Sequence, residues 1–247
     1  MQVQRDQAKI TYLDHSGFSV ETETALLIFD YYNPKPDEEG RGTVDLAEVP
    51  REKKIYIFVS HAHSDHYNKF IYELAGVRAN IQYILGVGVP KGGRSAAILK
   101  PQDEYEDGVI YVKAYGSTDE GVSFLVRVDG MNFFHAGDLN WWHWRSESTL
   151  SEINEAEEAF MHEIGLIAQD RPLIDVAFFP VDPRMGQFYE AGAEHFITVF
   201  KPTLFFPMHF GGSIHNIADF YRKVKMKRVK IMPIKHRGET FLYMKQE

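Results

Sequence analysis

The chain predicts an α/β layered domain, and three observations carry that expectation. Short apolar runs of strand length recur through its 247 residues, helical periodicities fall between them, and turn residues mark the breaks. The strand-like runs lie near 9–13, 19–21, 25–29, 55–59, 81–85, 109–113, 122–128, 131–135, 174–179, 203–207 and 239–244. Helical runs lie near 66–75, 149–169, 192–200 and 214–225. The longest helix follows Ser148 and sets Leu150, Ile153, Phe160, Ile164 and Ile167 on one face. Glu152, Glu155, Glu157 and Glu158 lie on the other, and Pro172 follows its end. The segment from Tyr31 to Pro50 is rich in Pro, Gly and charge, and reads as a surface excursion or a lip over a site. No repeat of solenoid period interrupts this order, and one domain over residues 1–247 with a large core is expected.

His61-Ala-His63-Ser-Asp65-His66 is the most informative stretch, placing four metal-capable side chains within six residues. It follows the apolar run Ile55–Val59 and precedes Tyr67, Phe70, Ile71 and Leu74 at helical spacing. The motif therefore sits on a strand-to-helix turn, where side chains converge above a rigid sheet edge. Neutral imidazoles with a carboxylate suit zinc, and also iron or manganese when oxygen ligands share the site. A divalent metal site is expected there, with zinc the first choice.

This spacing resembles the HxHxDH motif of the metallo-β-lactamase superfamily, and the likeness extends along the chain. Gly137-Asp138 follows the apolar run from Met131, and His209 follows Leu204–Met208. Ile10–Phe18 with Ala25–Asp30 is similar to the family's paired opening strands. The resemblance implies a four-layer αβ/βα sandwich with one or two divalent metal ions at the sheet edges. It further implies His61, His63, Asp65, His66, Asp138 and His209 as metal ligands, with Asp138 bridging two ions. One family element is missing: no His lies between Tyr67 and Phe134. Tyr115, Ser117, Asp119 or water is left to fill that place, or His143 swings in from its Trp-rich segment. The ion at His61 and His63 is expected to be the weaker of the two.

Zinc-class ions lower the pKa of bound water from near 16 to about 7 and so supply hydroxide at neutral pH. Asp65, as the expected catalytic residue, can both ligate and orient that water. Hydrolysis of an ester, lactone, amide or phosphodiester is the implied chemistry, and the resemblance points to the lactonase- and phosphodiesterase-like branch. No G-x-S-x-G serine elbow is present. Two other readings stand beside it: a degenerate metal-binding sensor or scaffold, and an RNA-processing nuclease of the same fold. A net charge of −8 and a pI near 5.8 disfavour the nuclease and any broad nucleic-acid face, leaving a small-molecule substrate as the expected partner. The basic run Arg222–Lys230 reads as a solvated surface beside an edge strand.

His15, Tyr115, His143 and His215 are candidate substrate contacts. For His15 the alternative is pinning a strand end, for His215 capping a helix, and for His143, among Trp141, Trp142 and Trp144, a hydrophobic corner. His135 can point into the sheet or support a ligand, whereas His162, His195 and His236 read as surface or packing residues. Arg94, in a Gly-rich turn, suits either an anionic substrate or the turn alone. The absence of cysteine removes disulfides and thiolate ligands and fits a reducing compartment. With no signal-like apolar segment and no run of membrane-spanning length, a cytoplasmic location is expected, and nothing in the sequence sets an oligomeric state.

Overall fold

The computed structural model describes residues 6–211, 214–224 and 229–245. In the first sheet β1 (Gln7–Asp14), β2 (Gly17–Glu21) and β3 (Ala25–Phe29) run antiparallel. Beyond β3, β4 (Lys54–Val59), β5 (Ile81–Gly86) and β6 (Ala96–Leu99) continue in parallel. The second sheet mirrors this plan. β7 (Glu104–Glu106), β8 (Ile110–Tyr115), β9 (Ser123–Val128) and β10 (Met131–His135) are antiparallel, and β11 (Val176–Pro180), β12 (Leu204–Met208) and β13 (Lys230–Ile231) extend from β10 in parallel. The C-terminal β14 (Thr240–Met244) returns to pair with β1.

The alternation of side chains assigns the layers. Phe18 and Phe58 of the first sheet meet Phe178 and Phe124 of the second, with ring centroids 4.4 and 5.4 Å apart. The neighbouring residues face outward, as strand pleating requires. Ile28, Ile55 and Ile57 pack under Ile71 and Tyr72 of a 3-10 helix (Lys69–Gly76). On the far side, Phe179 and Phe134 lie against Phe196 of α2 (Ala191–Phe200), and Phe160 of α1 (Leu150–Gln169) joins them. Phe220 of α3 (Ala218–Lys223) covers Phe205. The expected four-layer αβ/βα sandwich is thus present.

Departures from expectation have local causes. The helix expected from residue 66 begins at Lys69, because the His63 carbonyl ties down the amides of His66 and Tyr67 in a tight turn and Asn68 then caps the helix. Thr149 and Glu152 form a reciprocal capping box that starts α1. Phe160, Ile164 and Ile167 are buried as expected, but Leu150 stands exposed in the first turn. The excursion after β3 is anchored by buried Leu46 against the outer face of the first sheet. β7 and β13 are short edge strands without an apolar run to announce them, and the edge strand β6 is a four-residue apolar run, Ala96–Leu99, that sequence reasoning passed over. In the basic run, residues 225–228 lie outside the described residues, as does Gly212 after His209.

Candidate metal centre

Several strands from both sheets end at one rim, and residues just past them turn polar side chains into it. Asp30 follows β3, Ser60 and the His61–His66 turn follow β4, Asp138 follows β10, Asp182 follows β11 and His209 follows β12. The β1–β2 turn brings His15 to the same place. His15, Asp30 and His209 all adopt left-handed backbone, with φ of 51°, 42° and 63°. That conformation costs a non-glycine residue roughly 1 kcal/mol or more, and such strain gathers at sites where side-chain direction matters.

The six residues expected as ligands come together, forming two groups of donors around Asp138. His61, His63, Asp119 and Asp138 place donor atoms within 4.8 Å of one another, and so do His15, Asp65, His66 and His209. Asp138 stands between the groups. Its Oδ2 is 3.5 Å from Nε2 of both His61 and His209, and its Oδ1 is 3.2 Å from Nε2 of His66. Nε2 of His15, His61 and His66 and Oδ1 of Asp138 are buried without an aligned hydrogen bond. Such orphaned atoms are costly unless a further partner binds them. Imidazole and carboxylate donors at this spacing fit a divalent cation of the zinc, iron or manganese kind.

A network behind these donors sets their tautomers. The Asp30 carboxylate is fully buried and can only accept, so the proton of the 2.8 Å contact to His66 lies on Nδ1. The Ser60 hydroxyl donates to the same carboxylate oxygen at 2.6 Å, and must therefore accept from Nδ1 of His61 at 2.9 Å. Asp182 accepts from Nδ1 of His209 at 2.9 Å. All three rings thus turn a metal-ready Nε2 toward Asp138. His135 props the frame: Nε2 bonds the Ser16 carbonyl, holding the turn that carries His15, and its ring stacks on Phe29.

Electrostatics follow from burial and the carboxylates. Burial alone would lower the His66 pKa, but Asp138 and Asp30 more than offset it and push it up to about 10. His209 is likewise pushed up to about 9, as Asp138 and Asp182 overcome its burial. His61 and His15 go the other way, lowered chiefly by burial. Asp138 is held well below the usual carboxylate range; burial works against this, and His66 and His209 prevail. Without metal, the carboxylate charge thus favours the protonated forms of His66 and His209.

Asp119 stands where the missing histidine was sought, its Oδ2 3.4 Å from Nδ1 of His63, with Glu120 at 3.8 Å from the other ring nitrogen. Its loop is tied down from two sides. The Thr118 hydroxyl bonds the Asn140 carbonyl just beyond Asp138, and Gly121 passes so close to the Ser60 carbonyl that a Cβ would sit 2.0 Å from it. His15 faces Asp65 at 3.4 Å. The other candidates lie elsewhere. Tyr115 is buried and spends its hydroxyl on Asp170 at the end of α1, because alternation along β8 points it at that helix. Buried His143 bonds the Phe188 carbonyl through Nε2 and accepts from the Arg145 amide, so neither nitrogen is left to swing in. His215 is exposed on the turn Ile214–Ile217 and belongs to neither donor group. Arg94 serves its turn by bonding the Tyr72 carbonyl. His162 is exposed on α1, and His236 is exposed and bonds its neighbour's carbonyl. His195 packs edge-on against Phe160.

Asp30, Ser60, Asp182 and Arg184 went unmarked by sequence reasoning. Their one signal is position, since each lies within a few residues of the end of an apolar strand.

Comparisons with known proteins bear on the family and the fold. The family model described as "Beta-lactamase superfamily domain" matches residues 9–157. A UPF0173 metal-dependent hydrolase from Opitutus terrae is 30% identical over 239 residues, covering 87% of this chain and 89% of its own. One from Pyrococcus furiosus is 25% identical over 251 residues, covering 92% and 96%. Among solved structures, Igni18, a metallo hydrolase from Ignicoccus hospitalis, superposes with a TM-score of 0.65 at 18% identity, covering 97% of this chain and all of that one. The chain belongs to the metallo-β-lactamase superfamily, as a metal-dependent hydrolase of that fold.

Among the described residues no helix is long and apolar enough to cross a membrane.

Proposed function

We propose that this chain is a binuclear hydrolase in which His61, His63, Asp119 and Asp138 hold one divalent ion and His15, Asp65, His66 and His209 surround the other. Asp138 is shared between them. The observation that carries the proposal is the pair of donor groups on either side of Asp138, backed by Asp30 and Asp182. Bound ions of the zinc class would acidify a water and draw electron density from the scissile carbonyl or phosphoryl group.

The protein's own part is to orient and to exclude alternatives. Asp65, about half exposed beside His15, accepts a proton from the attacking water and aims its lone pair at the substrate. Burial holds His15 neutral at neutral pH, so it can support Asp65 without bringing a competing charge. Asp138 fixes the spacing of the two donor groups, and the Nδ1 hydrogen bonds keep each imidazole in its ligating tautomer. The substrate class is a small ester, lactone or phosphodiester, zinc is the preferred ion, and the site of action is the cytoplasm.

The test is a panel of chromogenic esters, lactones and phosphodiesters assayed before and after chelation, with metal content measured on the same samples. Turnover that is lost with the metal and returns on adding zinc, iron or manganese supports the reading. Full turnover in metal-free protein refutes it.

A further inference from the structure

The cleft over the donor groups has a wall whose chemistry differs from its floor. It encloses about 310 Å³, and its lining combines the carboxylates of Asp65, Asp119 and Asp138 with Trp142, Trp144 and Arg184. That volume is at the small end for ligand sites. Trp142 and Trp144 lie nearly parallel, 12° apart with centroids 6.2 Å from each other. Trp142 stands edge-on to His209, 5.4 Å away, and its indole N–H donates to the Asp138 carbonyl. An indole pair beside a reaction centre offers a flat apolar group a face to lie on.

Arg184 is the only lysine or arginine among the lining residues. Its Nε and Nη2 are held by Asp182 at 3.0 and 2.6 Å, which fixes the plane of the guanidinium beside His209. Nη1 has no partner among the described residues, and the side chain is 62% exposed. A guanidinium fixed on one edge and open on the other is prepared to take an anionic oxygen.

We propose, resting on the hydrolase reading above, that Arg184 and the Trp142–Trp144 pair determine specificity. They select compact substrates with an anionic oxygen next to the scissile bond and a flat apolar group. The recognised anion is a phosphoryl or carboxylate oxygen on Nη1, and the flat group lies along the indoles.

The test uses metal-loaded protein and non-hydrolysed probes, so that binding is read apart from turnover. Calorimetry with phenylphosphonate, methylphosphonate, benzoate and benzyl alcohol is run on wild type, Arg184→Gln and Trp144→Ala, with metal content measured on each. Arg184→Gln should weaken both phosphonates about 10- to 100-fold, as expected for losing a charged hydrogen bond, at unchanged metal content. Trp144→Ala should weaken phenylphosphonate several-fold more than methylphosphonate. Equal Arg184 dependence for benzoate extends the assignment to carboxylates, and dependence for the phosphonates alone narrows it to phosphoryl groups. Phosphonate affinity within twofold of wild type in Arg184→Gln overturns the proposal. So does weaker binding fully explained by lost metal, which would make Arg184 a prop for His209. In turnover, kcat/KM for methyl 4-nitrophenyl phosphate should fall in Arg184→Gln far more than for 4-nitrophenyl acetate. If neither is hydrolysed while Arg184-dependent binding persists, the hydrolase reading fails and the recognition wall stands.

Discussion

Replacing Asp30 by Asn should disarm two metal ligands without touching either. One Asp30 oxygen accepts from the Ser60 amide at 2.7 Å, so the Asn carbonyl must take that position. Its NH2 then faces the Ser60 hydroxyl and Nδ1 of His66, where the wild-type oxygen accepts at 2.6 and 2.8 Å. Two donors in place of an acceptor reverse both bonds. His66 must accept at Nδ1 and carry its proton on Nε2, the nitrogen that faces Asp138. Ser60 must accept from the Asn and donate to His61, which moves that ring's proton to Nε2 as well. Both rings then meet a cation with N–H instead of a lone pair. Loss of a hydrogen-bonding partner behind a metal ligand typically weakens binding 10- to 100-fold, about 1.4–2.8 kcal/mol per ion, and here two rings share one partner. The assay is a competition titration against a chromophoric chelator, with folding followed by circular dichroism. Ser60→Ala is the informative companion, since it interrupts only the branch to His61 and should weaken one ion while sparing the other. Affinities for both ions within about threefold of wild type in Asp30→Asn would refute the tautomer argument.

His66→Ala and Asp138→Ala should lose metal and hydrolysis together, and exposed His162→Ala should change neither; metal analysis beside initial rates decides this. Stepwise chelation should release the ion near His63 and Asp119 first, and Asp119→Ala should bring that release to lower chelator concentration; joint loss of both ions would contradict it. Gly121→Ala should lower Tm by about 5 °C or more, from a disfavoured φ of +73° and a Cβ 2.0 Å from the Ser60 carbonyl, as thermal melts would read. Asp107 is pushed down to about 2, with burial opposing and Lys54 and the Val109 and Ile110 amides, then Tyr56, prevailing. Its contribution to stability is therefore present above the ordinary value of 3.8 and lost as pH falls toward 2. The Tm gap between wild type and Asp107→Asn should close over that window.

The parts of this site legible in the sequence are those whose geometry is local. His61, His63, Asp65 and His66 share one turn, so their spacing fixes their proximity before any tertiary contact is known. Asp138 and His209 were legible only as strand ends within a family pattern. Asp30 and Asp182 were not, although each also ends an apolar strand. Their roles depend on which imidazole faces them across a fold that brings residues 30 and 66, or 182 and 209, together. No local rule of spacing encodes that meeting. The same limit explains Tyr115 and His143, plausible by composition and nearness in the chain. Strand alternation turns one toward α1, and a carbonyl across the Trp-rich corner takes up the other.

Asp119 stands in the donor group at the place where the family pattern has a histidine. A histidine and an aspartate differ in reach and charge, so exchanging them is not neutral unless the backbone is held in place. Here Thr118 and Gly121 clamp the loop against Asn140 and Ser60, and that clamp brings the carboxylate to His63. The resulting group has two imidazoles and two carboxylates, two of its members exposed, whereas His66 and His209 in the other group are buried and individually backed. Added negative charge favours a harder cation and exposure favours its exchange. On the binuclear reading proposed above, the two positions should therefore differ in both the ion they prefer and the rate at which they release it.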